Sequence, residues 1–394
     1  MHALVLSTTL SEGDFALLLK KGNHANPSNQ HFYSSFIKML AVHYNVDVLS
    51  YRPLTIFKNQ WIKKEEESES NGIHFHYLSF LNVPKIKSLQ IAHYSLKKIR
   101  KYIHSDTILF VDSLNIALVK LAFRISKKFH LPIVGIITDH PKNITGVTKK
   151  YIRTIESYFP KYDLYYALTE GLNEASNLLH RPCFIKEGLI DEKEAVTAIT
   201  RLYDNYIFFG GALYEKYGIS ALLEAFHRYP TSHHLIIAGQ GPSVSLVKDY
   251  ALKDSRIHYV GLLSKKEIAF YEQNALLNIN PRPLNKELEA LSFPSKMLEY
   301  IASGTPTMTT ENDTIQKMFQ DTLFYIGSGK EHEIYNGFVD FFELTAKERE
   351  KKAQQARKIA LSHYAISKVA QEFDSFIRLH SSSSNFFDNK ESVK

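Results

Sequence analysis

Cysteine is all but missing from this chain of 394 residues: Cys183 stands alone, which excludes an internal disulfide and fits a reducing compartment. No run of 18 or more apolar residues occurs, so no membrane-spanning helix is expected. The segment from Met1 to Leu10 lacks a cationic start and reads as a first strand, so no signal peptide is expected either. His74 and His76 sit two apart with no further ligand type nearby, and no metal site is expected. Helix-turn-helix, zinc-finger and RNP-type patterns are absent as well, which argues against a nucleic-acid partner.

What the chain does have is apolar material for two domains of ordinary size, since 44% of its residues are hydrophobic. Its net charge of +7 is spread unevenly. Residues 1 to 190 hold 24 Lys and Arg against 15 Asp and Glu, whereas the rest hold 24 against 26. Basic charge mixed with aromatics fits an anionic membrane surface or a phosphorylated substrate. Lys149 to Phe159 is basic, aromatic and amphipathic, and reads equally as a membrane-interface segment or as the solvated face of a packed helix.

Short apolar runs alternate with helical patterns, which predicts an α/β architecture with parallel sheets. His2 to Ser7, Val46 to Tyr51, Gly72 to Phe80, Thr107 to Val111, Leu131 to Thr138 and Tyr162 to Thr169 read as strands. The segment ending at Asn29 reads as a polar loop containing Gly13, Gly22 and a turn from Asn26 to Asn29. Gln30 to Tyr44 reads as a helix, Lys63 to Asn71 as a solvated loop, Leu89 to His104 as a basic helix and Leu114 to Phe129 as another. In doubly wound sheets ligands bind outside the carboxyl ends of the strands. Asp139 and His140 stand at such an end, either to orient an acceptor hydroxyl or as a turn cap beside an exposed ring.

In the second half a strand from Tyr206 runs into the adjacent Gly210 and Gly211, then Lys216 and a helix from Ile219 to Phe226. Strand, glycines and helix in that order let backbone amides approach a phosphate or sugar. Further strands end near Gly239, at Leu263 and at Asn280, and Arg282 just beyond the last offers a planar donor to an anion. The densest stretch is Ser292 to Pro306. Ser292 as cap, Pro294 in the first turn, and Gly304 with Pro306 as a stop predict a helix from Pro294 to Ser303. Met297, Leu298, Ile301 and Ala302 give it an apolar face, leaving Ser295, Lys296 and Glu299 toward its opening end. Its amides and Lys296 suit a diphosphate, and Glu299, about 5 Å further along the axis, suits ribose hydroxyls. The plainer account of these residues is a capped amphipathic helix with a Lys/Glu surface pair.

Taken together, these motifs resemble the C-terminal half of a family 4 glycosyltransferase of GT-B type, in a variant reading Phe293-Pro294-Ser295-Lys296. The likeness is strong over about 205 to 330 and weak elsewhere. It implies two Rossmann-like, doubly wound domains facing a central cleft: an acceptor domain at 1–191 and a nucleotide-sugar domain at 192–365. A last helix at 366–380 would return to the first domain, and a tail at 381–394 is expected to be disordered. The implied reaction is a retaining, metal-independent transfer of a sugar from a nucleotide diphosphate sugar, UDP-linked by preference, without a cofactor. The implied acceptor is a hydroxyl of a lipid-linked or polysaccharide precursor, in the cytoplasm or at the inner face of an anionic membrane.

By matching position, Arg282 and Lys296 would stabilise the leaving group, and Asp139 and His140 would position acceptor or sugar. Gly210, Gly211, Lys216, Leu263, Arg282, Ser295, Lys296 and Glu299 would hold the nucleotide sugar, Leu263 through backbone groups at the base. The chain departs from the family at Ala212 and Tyr217, where many members carry Arg and Lys. It departs again at Leu291, where many carry a second Glu eight residues before Glu299; Glu287 and Glu289 are near but out of register. These departures leave a catalytically silent GT-B subunit, binding a glycan or a partner transferase, as the competing reading.

Overall fold

Ala3 to Leu6 are buried without alternation, as a strand covered on both faces must be, and they form the centre of a large sheet. In this computed structural model, which describes residues 1–20, 26–54, 60–69, 72–83, 85–144, 146–192, 203–285, 289 and 291–381, the chain divides into two compact units. The first comprises Met1–Leu189, Ala290–Phe293 and Ile366–Lys394, and the second Ile190–Glu289 and Pro294–Ala365. Among the described residues no helix is long and apolar enough to cross a membrane.

The first unit holds an eight-stranded sheet in the order Cys183–Ile185, Leu164–Ala167, Ile133–Ile137, Thr107–Asp112, His2–Leu6, Asn45–Ser50, Ile73–Tyr77, Glu65–Glu69. All pairings are parallel except the last. Strand order reverses between His2–Leu6 and Thr107–Asp112, so the carboxyl ends of those two strands flank a switch-point crevice. Helix Ile366–Ser381 joins this core: Phe373 lies 6.1 Å from Phe36, 6.1 Å from Phe110 and 5.6 Å from Tyr166, ring centre to ring centre.

The second unit holds six parallel strands in the order Ile257–Gly261, His234–Ala238, Tyr206–Gly210, Leu277–Asn280, Thr307–Thr309, Phe324–Tyr325. Its reversal lies between Tyr206–Gly210 and Leu277–Asn280.

Several local expectations need correction. Glu65–Glu69 is not a loop but an edge strand antiparallel to Ile73–Tyr77, and edge strands commonly carry charged residues. Within the supposed loop after the first strand, Glu12–Lys20 is a helix with Glu12 and Asp14 in its first turn. Asn26 is no turn residue but the cap of helix Pro27–Leu40, accepting from the amides of Ser28 and Asn29. The basic helix is broken into Ile86–Ala92 and Leu96–Ile99, and at the break Arg124 donates to the carbonyls of Ala92 and Tyr94. Helix Lys149–Glu156 turns its apolar side inward, with Ile155 buried and the Tyr151 hydroxyl donating to the Leu114 carbonyl at 2.5 Å. That face is therefore taken up by packing. Gly22, Glu287, Ala290, residues 193–202 at the start of the expected nucleotide-sugar domain, and the tail from 382 lie outside the described residues.

Candidate active site

The reversal in the second unit brings the segment after Tyr206–Gly210 against the segment after Leu277–Asn280. Gly218 makes this approach feasible: its φ is +81°, and a Cβ there would stand 2.1 Å from the carbonyl oxygen of Pro281. The next residue on each side is then a functional candidate. The Arg282 guanidinium lies 5.6 Å from the centre of the Tyr217 ring, and the Lys216 ammonium lies 5.3 Å from the same ring. The Thr310 hydroxyl donates to the Arg282 carbonyl at 2.9 Å, which fixes the backbone from which the guanidinium projects. Tyr217, at the position where the resembled family often carries lysine, thus has two cations beside its ring, one of them on the preceding residue.

The glycine pair works differently from the expectation. The Gly210 amide donates to the Tyr300 hydroxyl at 2.8 Å, and that hydroxyl donates back to the Gly210 carbonyl at 3.1 Å. The Gly211 amide donates to the Ala238 carbonyl at 3.0 Å. Both amides are thus spent inside the fold, and a Cβ on Gly210 would stand 2.9 Å from the Phe208 ring. Gly239, with φ +134°, meets it from the neighbouring strand end, where a Cβ would fall 1.8 Å from the Gly211 carbonyl oxygen.

The helix expected from Pro294 runs from Ser295 to Ala302, with Pro294 itself at the cap position and no side-chain cap, so Ser292 does not cap it. A proline cap has no polar side chain to offer the first-turn amides. Following Leu277–Asn280 and preceding Thr307–Thr309 in a parallel sheet, the helix opens at the same sheet edge as Arg282. Gly304 ends it with φ +80°. Met297, Leu298, Tyr300 and Ile301 are buried.

Lys296 and Glu299 meet each other rather than standing apart: Nζ lies 2.5 Å from Glu299 Oε2 and 3.8 Å from Oε1 of the buried Glu272. Burial works to lower the Lys296 pKa, but the two carboxylates outweigh it and hold the ammonium above its ordinary range. One ammonium facing two carboxylates brings no net positive charge to a diphosphate. Leu263 packs against the cluster of Tyr206, Phe208 and Tyr300, while its neighbour Leu262 is exposed.

Tyr300 and Glu272 were missed in the sequence. Tyr300 was findable, since it falls three residues after Met297 on the same helical face. Glu272, near the end of helix Lys265–Asn274, gave no signal.

In the first unit Asp139 and His140 follow Ile133–Ile137. Asp139 Oδ1 accepts from the His140 amide at 2.7 Å and from the Asn143 side chain at 3.1 Å. His140 is buried, not exposed, and its Nδ1 accepts from the Lys142 amide at 3.3 Å, which leaves the proton on Nε2. Burial, seconded by Lys142, pushes its pKa down, so the ring is neutral near pH 7. The reversal point itself carries a residue that was passed over, Asp112. It is buried, accepts from the Leu114 amide at 3.0 Å, and is raised above the ordinary carboxyl pKa by burial.

Residues 204–342 match the family described as Glycosyl transferases group 1. That match spans most of the second unit. Solved structures similar to the chain include sucrose-phosphate synthase from Thermosynechococcus elongatus, with TM-score 0.72 and 12% identity over 98% of this chain and 100% of that one. Anabaena HepE in complex with UDP aligns with TM-score 0.64 and 12% identity over 96% and 100%. The trehalose-6-phosphate synthase OtsA aligns with TM-score 0.69 and 12% identity over 96% and 99%. At such identities the likeness speaks for the fold, the two-domain α/β architecture of GT-B glycosyltransferases. No curated protein sequence matches the chain.

Proposed function

We propose that the protein transfers a sugar from a UDP-sugar to a hydroxyl of a lipid-linked or polysaccharide precursor, with retention of anomeric configuration and without a metal in the reaction. The observation that carries the reading is the pair Lys216 and Arg282, two cations held over Tyr217 at the switch point of the glycosyltransferase domain. Their charge, with the opening amides of helix Ser295–Ala302, stabilises the leaving diphosphate. The diphosphate then accepts the proton of the attacking hydroxyl on the face it leaves. Lys296 and Glu299 act as a coupled pair: a ribose bound to Glu299 shares that carboxylate with Lys296, and Ser295 lies at the helix mouth. Leu263 contributes its backbone at the base. Asp139 and the neutral His140 position the acceptor, His140 as a donor through Nε2. A uridine donor is favoured because HepE, of the same fold, is described in complexes with UDP and UDP-glucose.

The basic charge of residues 1 to 190 suits electrostatic contact with an anionic membrane at the cytoplasmic face. No nucleic-acid partner is proposed. The deciding experiment offers UDP-, GDP- and ADP-sugars to the purified protein, following nucleotide release and melting temperature together. UDP at 100 times its Kd should add about 2.7 kcal/mol of stability, and turnover should persist in EDTA. A protein that binds UDP yet neither transfers nor hydrolyses any donor would be the silent subunit instead.

A further inference from the structure

At the amino-terminal edge of the first unit's sheet, away from the strand ends that carry Asp112 and Asp139, three strands and the turn before a fourth bring together a second polar cluster. His2 begins the central strand, Asp47 lies on the strand beside it, His76 lies on the next, and Thr107 begins the strand on the other side. His2 Nε2 is 2.8 Å from Asp47 Oδ2, and His76 Nε2 is 2.5 Å from Asp47 Oδ1. His2 Nδ1 is 3.1 Å from the Thr107 hydroxyl, which also accepts the backbone amide of His104 at 2.8 Å. The His104 ring lies over His2, centroids 4.2 Å apart. The nearest ligand-type atoms of His2, Asp47 and His104 all fall within 4.8 Å of one another.

We propose that His2, Asp47 and His104 bind a divalent transition-metal ion of the zinc class. Two imidazoles and a carboxylate are a donor set that such ions favour, with bonds of about 2.0–2.2 Å. Ligand atoms around such an ion stand closer together than the widest spacing here. The exposed His104 is the side chain placed to swing inward, whereas buried His2 and its strand neighbour Asp47 are fixed by the sheet. The supporting contacts are those a metal site needs. His76 holds the second oxygen of Asp47, and Thr107 holds the second nitrogen of His2. With a metal on His2 Nε2, the Thr107 hydroxyl stands where it can accept the proton that Nδ1 then carries. Three protein ligands leave the fourth position to water. The ion would tie the first strand to the segment that enters Thr107–Asp112, which makes it a structural clamp separate from the transfer reaction.

The test uses the full chain, freed of metal, with Co2+ as the spectroscopic probe and Zn2+ alone in thermal melts. The wild type should take up one equivalent of Co2+ with the visible bands of a tetrahedral site, and Zn2+ should raise its Tm. H104A removes an exposed ligand, so it should keep the metal-free Tm and lose both effects, and H104Q provides the check should H104A fold poorly. T107V keeps all three ligands and should weaken Co2+ binding about 10- to 100-fold. Absence of a tetrahedral spectrum in the wild type overturns the site. So does an unchanged spectrum in H104A, which would assign the binding to other histidines.

Discussion

Where strand order reverses in the second unit, two cations stand over a tyrosine ring; where it reverses in the first, the charged group is Asp112, buried and held above the usual carboxyl range. Both sheets are parallel around their reversal points and both open a crevice outside the carboxyl ends of central strands. Topology supplies the location in each case, and the side chains set its sign. A cationic edge suits the anionic half of a transfer reaction, the diphosphate that leaves. An edge whose buried carboxyl is pushed upward in pKa and whose imidazole is neutral suits, on the proposed reading, the hydroxyl that arrives. Within the second unit a similar contrast holds at closer range: Lys216 and Arg282 face a ring, whereas Lys296 faces two carboxylates.

The sharpest way to break this comparison is to remove its strongest cation. R282A should lower kcat by about 10²- to 10³-fold, the effect of losing one preorganised donor to developing charge, with Tm unchanged because the guanidinium is not part of the core. K216A should follow in the same direction with a smaller loss, since Lys216 is exposed and its charge is better screened. Steady-state kinetics with the preferred donor decide it, and equal turnover in wild type and R282A would move the leaving-group site elsewhere.

Gly218 tests the scaffold rather than the charge. G218A forces a Cβ onto the Pro281 carbonyl at a positive φ, and should cost about 2–4 kcal/mol of stability in denaturant melts, through strain and backbone displacement. Any protein that survives should show a raised KM for donor, because Tyr217 and Arg282 would be spread apart. A stability equal to wild type would mean that the close approach of the two segments is not required.

K296M sharpens the contrast between the two kinds of cation. Loss of the ammonium leaves the carboxylates of Glu272 and Glu299 facing each other. Since Lys296 is about a third exposed, the cost should be moderate, about 1–2 kcal/mol. A lower Tm with a modest fall in donor affinity fits a coupled pair, whereas a loss of kcat as large as that of R282A with unchanged Tm would restore Lys296 as a direct leaving-group cation.

Strands such as Ile133–Ile137, Tyr206–Gly210 and Leu277–Asn280 were legible because they are short apolar runs with Gly, Pro or Asp at or just beyond their ends, the pattern a buried parallel strand leaves. Gly304 announced the end of its helix for an equally local reason, the left-handed φ that the following turn needs. Partnerships were not legible. Lys296 and Glu299 are three apart on one helix, a spacing that fits a surface pair and a ligand pair alike, and only Glu272 from another helix decides how their charges balance. Gly210 and Gly211 looked like open amides because nothing local reveals that Tyr300 and Ala238 take them. Glu65–Glu69 was misread because strand pairing at an edge is satisfied by backbone groups, which composition does not record.

The smallest expected effect concerns the first unit's edge and its neutral imidazole. His140 has a folded pKa pushed below the free imidazole value of about 6.5, by burial first and Lys142 second. Between those two values the unfolded chain binds the proton and the folded chain does not, so stability rises with pH across that window and levels off above it. H140N keeps an acceptor for the Lys142 amide but cannot titrate. Its Tm should therefore fall less than that of the wild type as pH is lowered from 7 through the window, while the two proteins run parallel above pH 7. Other histidines contribute equally to both proteins and cancel in the difference. Should the two curves stay parallel at every pH, His140 would be protonated in the folded state as readily as in water. The first unit's edge would then carry a positive charge of its own at mildly acid pH, and its contrast with the cationic edge of the second would rest on Asp112 alone.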